Sequence, residues 1–295
     1  MINCRRQVEI ILPPATDWIP DRSIPHGQHQ GRYQGPRKKP WDYDCEVCIP
    51  VLDVWEGLPT IIQLLRLQRG VRPYIVLIDT GSLPENWAKV EALRADDVEV
   101  HTLRFGAVRH PSDPVAAALD LHLSICRTEY LFLTHADVFL RRNDFLKDLM
   151  AQCNADTPGV GYQMSPRGFP GWEEILSHTA TMLHMPTIDR ILGCYSLRRL
   201  CARKNVEHRP NSWADNWPDT EQLMTYLMQD NGMKPLLIGS EPNHEPTIDR
   251  NIYHARSITA ANLYAPGHHK RALVWLGEAI KEGQANIRLW SDEKP

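Results

Sequence analysis

A histidine and an aspartate one residue apart, at the end of an apolar run, can hold a divalent cation. In this chain EYLFLT leads directly into His135-Ala136-Asp137. The carboxylate offers a hard oxygen and the neutral imidazole a nitrogen, a pairing suited to Mn²⁺. If the chain is still extended there, alternation points both side chains the same way. A carboxylate in such apolar surroundings is costly without a charged partner or a metal. The plainer reading is a turn or cap aspartate beside a hydrogen-bonded histidine. Two more aspartates follow apolar runs, Asp53 after CEVCIPV and Asp79 after YIVLI. Further on, Asp219-Thr220-Glu221 precedes a Leu-rich helical stretch. A carboxylate there could take the proton of an attacking hydroxyl, Asp219 first and Glu221 second. Asp219 would equally cap the helix, and Glu221 would suit its first turn. Near the end, Tyr253-His254-Ala255-Arg256 sets an imidazole beside a guanidinium, and His254 is preferred to His244 as a ligand. Among 13 histidines a surface residue is the competing reading for either.

Positioning these groups calls for alternating strands and helices. Residues 45–51, 74–79, 98–103 and 129–135 read as buried strands. Residues 58–70, 83–95 and 114–126 read as the helices between them, with Pro84 and Pro114 near helix starts. Right-handed crossovers then give a mainly parallel sheet, and ligands gather beyond the carboxyl ends of such strands. Asp53, Asp79 and Asp137 all fall at those ends. Beyond Asp137 the alternation weakens. A helix is predicted at about 143–153, a strand at 158–164 and helical stretches at 193–205 and 221–232. A last strand over 234–240 and a closing helix over 268–283 complete the chain. The division expected is a proline-rich arm (1–44), a nucleotide-type half (45–140), an acceptor half (141–267) and a C-terminal helix and tail (268–295).

Composition bounds the rest. With 42% hydrophobic and 23% charged residues the chain is globular rather than disordered. A net charge of −3 makes no demand for nucleic acid. No apolar run reaches the roughly 18 residues of a membrane helix, and the start lacks a cleavage site, so a cytoplasmic protein is expected. Seven scattered cysteines suit reduced thiols. Cys45-x-x-Cys48 lacks the second pair a structural zinc normally needs, and buried cysteine is a common small core residue.

Taken in order, IPVLDVWEGLP (49–59), LIDTGS (77–82), the helix and strand through THADV (134–138) and PDTEQLMTYL (218–227) resemble the GT-A glycosyltransferases, within them the family-2-like enzymes. The resemblance covers roughly residues 45–240. It implies an α/β GT-A fold with a mainly parallel central sheet flanked by helices. It implies a nucleotide-sugar donor, most often UDP-linked, and Mn²⁺ or Mg²⁺. Pro50 and Asp53 would lie at the first-strand nucleotide site, and Asp79 would bond the base. Asp137 matches the metal-binding aspartate of Asp-x-Asp, while His135 stands where the first aspartate would be and would contact ribose, sugar or metal. Asp219 or Glu221 would be the base of an inverting transfer. His254 would join the metal, and Arg256 would face the diphosphate.

Trp213 and Trp217, among Asn211, Asp215 and Asn216, read as an acceptor or lid loop, since aromatic faces suit sugar rings and flat bases alike. The acceptor stays open. A saccharide is one class. DNA with hydroxylated bases is another, prompted by Arg198, Arg199, Arg203, Lys204, His208 and Arg209 together with Arg37-Lys38-Lys39. A non-catalytic nucleotide-sugar-binding scaffold is a third reading, prompted by His135. No G-x-G-x-x-G follows the first strand, which disfavours a dinucleotide-dependent oxidoreductase.

Overall fold

A computed structural model describes residues 10–11, 43–103, 113–163, 175–204, 220–241, 246–255 and 266–292. Strand β1 (Ile10–Ile11) precedes β2 (Cys45–Val51), helix α1 (Leu58–Arg66), β3 (Pro73–Asp79), α2 (Pro84–Glu91) and β4 (Val98–Leu103). Then come α3 (Asp113–Ile125), β5 (Tyr130–Thr134), β6 (Val138–Leu140), α4 (Phe145–Gln152) and β7 (Gly159–Gln163). β8 (Ala180–His184), α5 (Met185–Arg190), α6 (Leu197–Lys204) and α7 (Gln222–Asp230) follow. β9 (Leu236–Ser240), β10 (Thr247–Ile248), β11 (Ile252–His254) and α8 (Pro266–Asp292) end the chain.

The main sheet runs β1-β4-β3-β2-β5-β8-β7-β9. β4, β3, β2 and β5 are parallel neighbours, β8 runs antiparallel between β5 and β7, and β9 is parallel to β7. This is the mainly parallel, helix-flanked α/β sheet that the GT-A resemblance implies. Every residue of β3 is buried, as expected of a strand covered on both faces. One core layer packs the sheet against α1, α4 and α8, and the other packs it against α3, α5 and α7. The main sheet continues from residues 45–140 into residues 141–267 through the β5–β8 pairing.

Three details bear on the site. Pairing of β2 with β5 stops at Cys48↔Leu133, just before Pro50. Proline has no N–H to donate, so the two strands part at their carboxyl ends while β2 stays paired with β3 through Val51↔Asp79. Second, the predicted strand over 129–135 ends at Thr134. His135, Ala136 and Asp137 form a turn, with the Val138 amide donating to the His135 carbonyl at 3.3 Å. Third, β6, β11 and β10 build a small separate antiparallel sheet. The register His254↔Val138 sets the end of β11 against that turn, and the Ala255 amide donates to the Asp137 carbonyl at 2.9 Å.

Other boundaries shift for local reasons. α1 ends at Arg66 rather than Gly70 because the chain turns there to bond the start of α4. Gln68 donates to the Arg142 carbonyl at 2.8 Å and accepts from the Leu146 amide at 3.1 Å. β8 and α5 lie in a stretch for which the sequence predicts no element. Cys45 and Cys48 face opposite core layers, so they form no joint site, and burial raises both thiol pKa values.

Candidate functional site

Two groups of polar side chains stand at the carboxyl edge of the parallel strands. The first joins the ends of β2 and β3. Gly81, at φ 108°, makes the turn that returns two amides to Asp79, from Gly81 at 3.4 Å and from Ser82 at 3.1 Å. The Thr80 hydroxyl ties the same turn to the Val51 carbonyl at 2.9 Å. Asp53 takes the left-handed conformation, φ 54°, and its Oδ1 accepts from the Leu83 amide at 2.6 Å and from Asn86 at 3.2 Å. Its own amide donates to Ser82 Oγ at 2.8 Å. Burial raises the Asp79 pKa, opposed by the bonds from Ser82 and Gly81. The structure thus locks Asp53 and Asp79 into one bonded turn, with Pro50 one strand position before its start.

The second group lies where β5 parts from β2. His135, Asp137 and His254 each present a ligand atom within 4.8 Å of the other two. His254 Nε2 is 3.4 Å from Asp137 Oδ1, and its Nδ1 is 3.3 Å from Glu241 Oε1, just past the end of β9. Burial alone would lower the His254 pKa, but the two carboxylates outweigh it and hold it at about 9. For Asp137, burial is likewise outweighed by His254 and His135, and its pKa is lowered. His135 goes the other way: burial, with two imidazoles close by, brings it down to about 3, so it is a neutral nitrogen donor. Its Nε2 is buried without a hydrogen-bond partner among the described residues. One carboxylate and two imidazoles around a common point, with His254 giving up its proton to the ion, fit a divalent cation of the Mn²⁺ type.

The same corner holds two groups beyond that cation set. The His178 ring lies 4.5 Å from that of His135, centroid to centroid, and 6.3 Å from that of Tyr195. Its Nδ1 is 2.9 Å from Glu221 Oε1, both residues being buried. Glu221 Oε2 has no hydrogen-bond partner among the described residues. Bonds from Leu176 N to Thr225 Oγ1 of α7 (3.0 Å) and from Ser177 N to the Tyr162 carbonyl (2.8 Å) fix the segment bearing His178. Asp120 of α3 accepts from the Tyr195 amide at 2.6 Å, holding the ring that flanks His178.

The structure therefore brings His135, Asp137, His254 and Glu221 to one corner, and Asp53 and Asp79 to a turn at the same edge. Asp219, Trp213, Trp217, Arg256 and His244 lie outside the described residues. The expected extended alternation of His135 and Asp137 is corrected: a turn, not a strand, makes them converge. Sequence reasoning missed His178 and Glu241. Glu241 carried a signal, a carboxylate directly after an apolar strand, as at Asp53. His178 carried none. The basic residues of α6 are largely engaged within the protein. Arg203 pairs with Asp230, Lys204 bonds Gln222 at 3.0 Å and Arg199 reaches Cys194 Sγ at 3.0 Å.

No helix among the described residues is long and apolar enough to cross a membrane. No protein-family profile matches the chain, and no curated protein matches it. Among solved structures, it is similar to the mannosyltransferase PcManGT from Pyrobaculum calidifontis in complex with GDP-Man and Mn²⁺, at 17% identity over 88% of this chain and 80% of that one, with a TM-score of 0.45. It is similar to residues 1–349 of S. aureus TarS in complex with UDP-GlcNAc, at 15% identity over 52% of this chain and 48% of that one, TM-score 0.40. A third similar structure is glucosyl-3-phosphoglycerate synthase from Mycobacterium tuberculosis with phosphoglyceric acid, at 10% identity over 80% of this chain and 81% of that one, TM-score 0.44.

Proposed function

We propose that this chain is a metal-dependent glycosyltransferase that moves a sugar from a nucleotide-sugar donor, UDP-linked by the motif resemblance, to an acceptor hydroxyl with inversion. The observation that carries this reading is the convergence of His135, Asp137 and His254 at the carboxyl edge of a parallel sheet, beside the Asp53–Asp79 turn. In such sheets that edge is where nucleotides sit. Asp79 and Asp53 orient the base and ribose. Asp137 and His254 hold the cation, with Arg256 toward the diphosphate. A bound Mn²⁺ or Mg²⁺ neutralises charge on the departing diphosphate.

Glu221 is the preferred base, with Asp219 the alternative. His178 Nδ1 lies 2.9 Å from one oxygen of Glu221, and the other oxygen, without a hydrogen-bond partner among the described residues, would accept the acceptor's proton. As that proton moves to the carboxylate, the acceptor oxygen bonds the anomeric carbon and the bond from that carbon to the phosphate oxygen breaks. Trp213 and Trp217 would stack on the acceptor. A saccharide is favoured over nucleic acid because Arg203 and Lys204 are directed to Asp230 and Gln222.

Calorimetric titration of UDP, GDP and other nucleoside diphosphates with and without Mn²⁺ tests the donor half. Metal-dependent binding of one nucleotide is expected, followed by its release from the matching nucleotide sugar. Binding of none removes the transferase reading. Tight binding with no transfer to any acceptor leaves the scaffold reading in its place.

A further inference from the structure

The cation ligands sit on segments fixed by backbone bonds and strand register. The turn bearing His135 and Asp137 is closed by its own backbone bond and clamped to β11 through the Ala255 amide. His254 is set by strand register. Its Nε2 stands 3.4 Å from Asp137 Oδ1, long for a hydrogen bond. Two ligands about 2.1 Å from one tetrahedral ion stand roughly that far apart. Glu241 faces the other ring nitrogen, and a carboxylate behind a histidine is the usual device for orienting a metal ligand. His135 Nε2, buried without a partner among the described residues, would lose that desolvation cost on binding an ion.

We propose that the protein alone assembles this site from His135, Asp137 and His254, with Glu241 orienting His254, so that it takes a transition-metal dication before any nucleotide arrives and discriminates against Mg²⁺. Two imidazoles and one carboxylate suit Mn²⁺, Fe²⁺, Co²⁺ or Zn²⁺, whereas Mg²⁺ prefers an octahedron of oxygens and keeps its waters. A cation carried in with the donor would need fewer protein ligands. Here three are provided, and the ion is resident. The proposal rests on the transferase reading for the ion's role in a reaction, not for its binding.

The test uses the full chain, stripped with a chelator and titrated with Co²⁺, Mn²⁺ and Mg²⁺ without nucleotide, by calorimetry and by the visible absorption of Co²⁺. One equivalent of Co²⁺ is expected, tighter than Mg²⁺ on the order of 100-fold. His135→Ala should weaken Co²⁺ binding at least about 10-fold, and Glu241→Gln about 10-fold. His135→Gln serves if the alanine variant fails to fold, as judged by circular dichroism. Equal affinity for Mg²⁺ and Co²⁺, or Co²⁺ binding unchanged in the folded His135 variants, overturns the proposal. Adding UDP, then GDP, separates the two ideas. An ion that binds only with a nucleotide sinks the resident site and leaves the transferase. An ion that binds alone, in a protein that takes no nucleotide, upholds the site and sinks the transferase.

Discussion

Two buried clusters of histidine and carboxylate lie at opposite ends of the same sheet, and they differ in whether both oxygens of the buried glutamate are bonded. At the amino end, Glu46 of β2 faces the carboxyl end of α3. One carboxylate oxygen lies 2.8 Å from His122 Nε2, and the other accepts from the Arg127 amide at 3.0 Å and its Nε at 3.3 Å. The Glu46 amide in turn donates to Thr128 Oγ1 at 2.9 Å. Burial would raise the Glu46 pKa, but His122 and Arg127 outweigh it and lower it. His122 Nδ1 is left without a hydrogen-bond partner among the described residues. Cys126 completes a set of ligand types that could hold an ion, yet both Glu46 oxygens are already taken. At the carboxyl edge, His135 Nε2 and Glu221 Oε2 lack partners among the described residues, and the His254 contacts are long. The same residue types thus staple one end of the sheet and leave the other with unused bonding capacity. Unused capacity in a buried cluster is where a ligand gains most.

The contrast can be broken by mutation. Asp137→Ala should lower nucleotide release from the donor about 10³-fold while the fold persists; turnover near the parent value would remove the carboxyl cluster from the reaction. Glu221→Gln should cost about 10²–10⁴-fold in kcat with little change in donor KM. A normal kcat there would pass the role of base to Asp219. His178→Asn, which keeps a donor near Glu221, should recover part of what His178→Ala loses in kcat; equal losses would reduce His178 to a packing residue.

At the amino end the readout is stability. Glu46→Ala removes one partner of a buried pair and should cost about 3–5 kcal/mol in urea unfolding. Metal binding at the far edge should be unchanged in any variant fraction that folds. The smallest effect concerns acid. Glu99, beside His101 at 3.0 Å and Arg127 at 3.2 Å, has its pKa lowered to about 2. A lowered carboxylate stabilises the fold above its unfolded pKa of about 4.5, and that contribution fades as pH falls toward 2. Glu99→Gln should flatten part of this acid loss, on the order of 1–2 kcal/mol for a partly exposed group. An identical acid profile in the variant would show that Glu46 and the other carboxylates carry the whole effect.

Much of the architecture was legible because burial on both faces writes itself as uninterrupted apolar runs. β2 and β4 fall on their predicted residues, and β3 differs by one. β8 was not legible, since ATMLH is a short stretch ending in a polar residue and is strand only because β5 and β7 flank it. Asp53, Asp79 and Asp137 could be picked out because a carboxylate ending an apolar strand is chemically conspicuous. His135 and His254 could be named beside Asp137 from the motif resemblance, whereas Glu241 and His178 could not.

By itself, then, the sequence determined the alternation of strands and helices, the polar residues at their carboxyl ends and the pairing of a histidine with Asp137. Tertiary structure alone decided that His178 and Glu241 join His254 and Glu221 there, and at what distances. They arrive on segments ahead of β8, ahead of α7, after β9 and at the end of β11, and each is locally an ordinary polar residue. Local sequence codes for backbone preference and burial, whereas a site is made of distances between segments, and those are set by strand order and register.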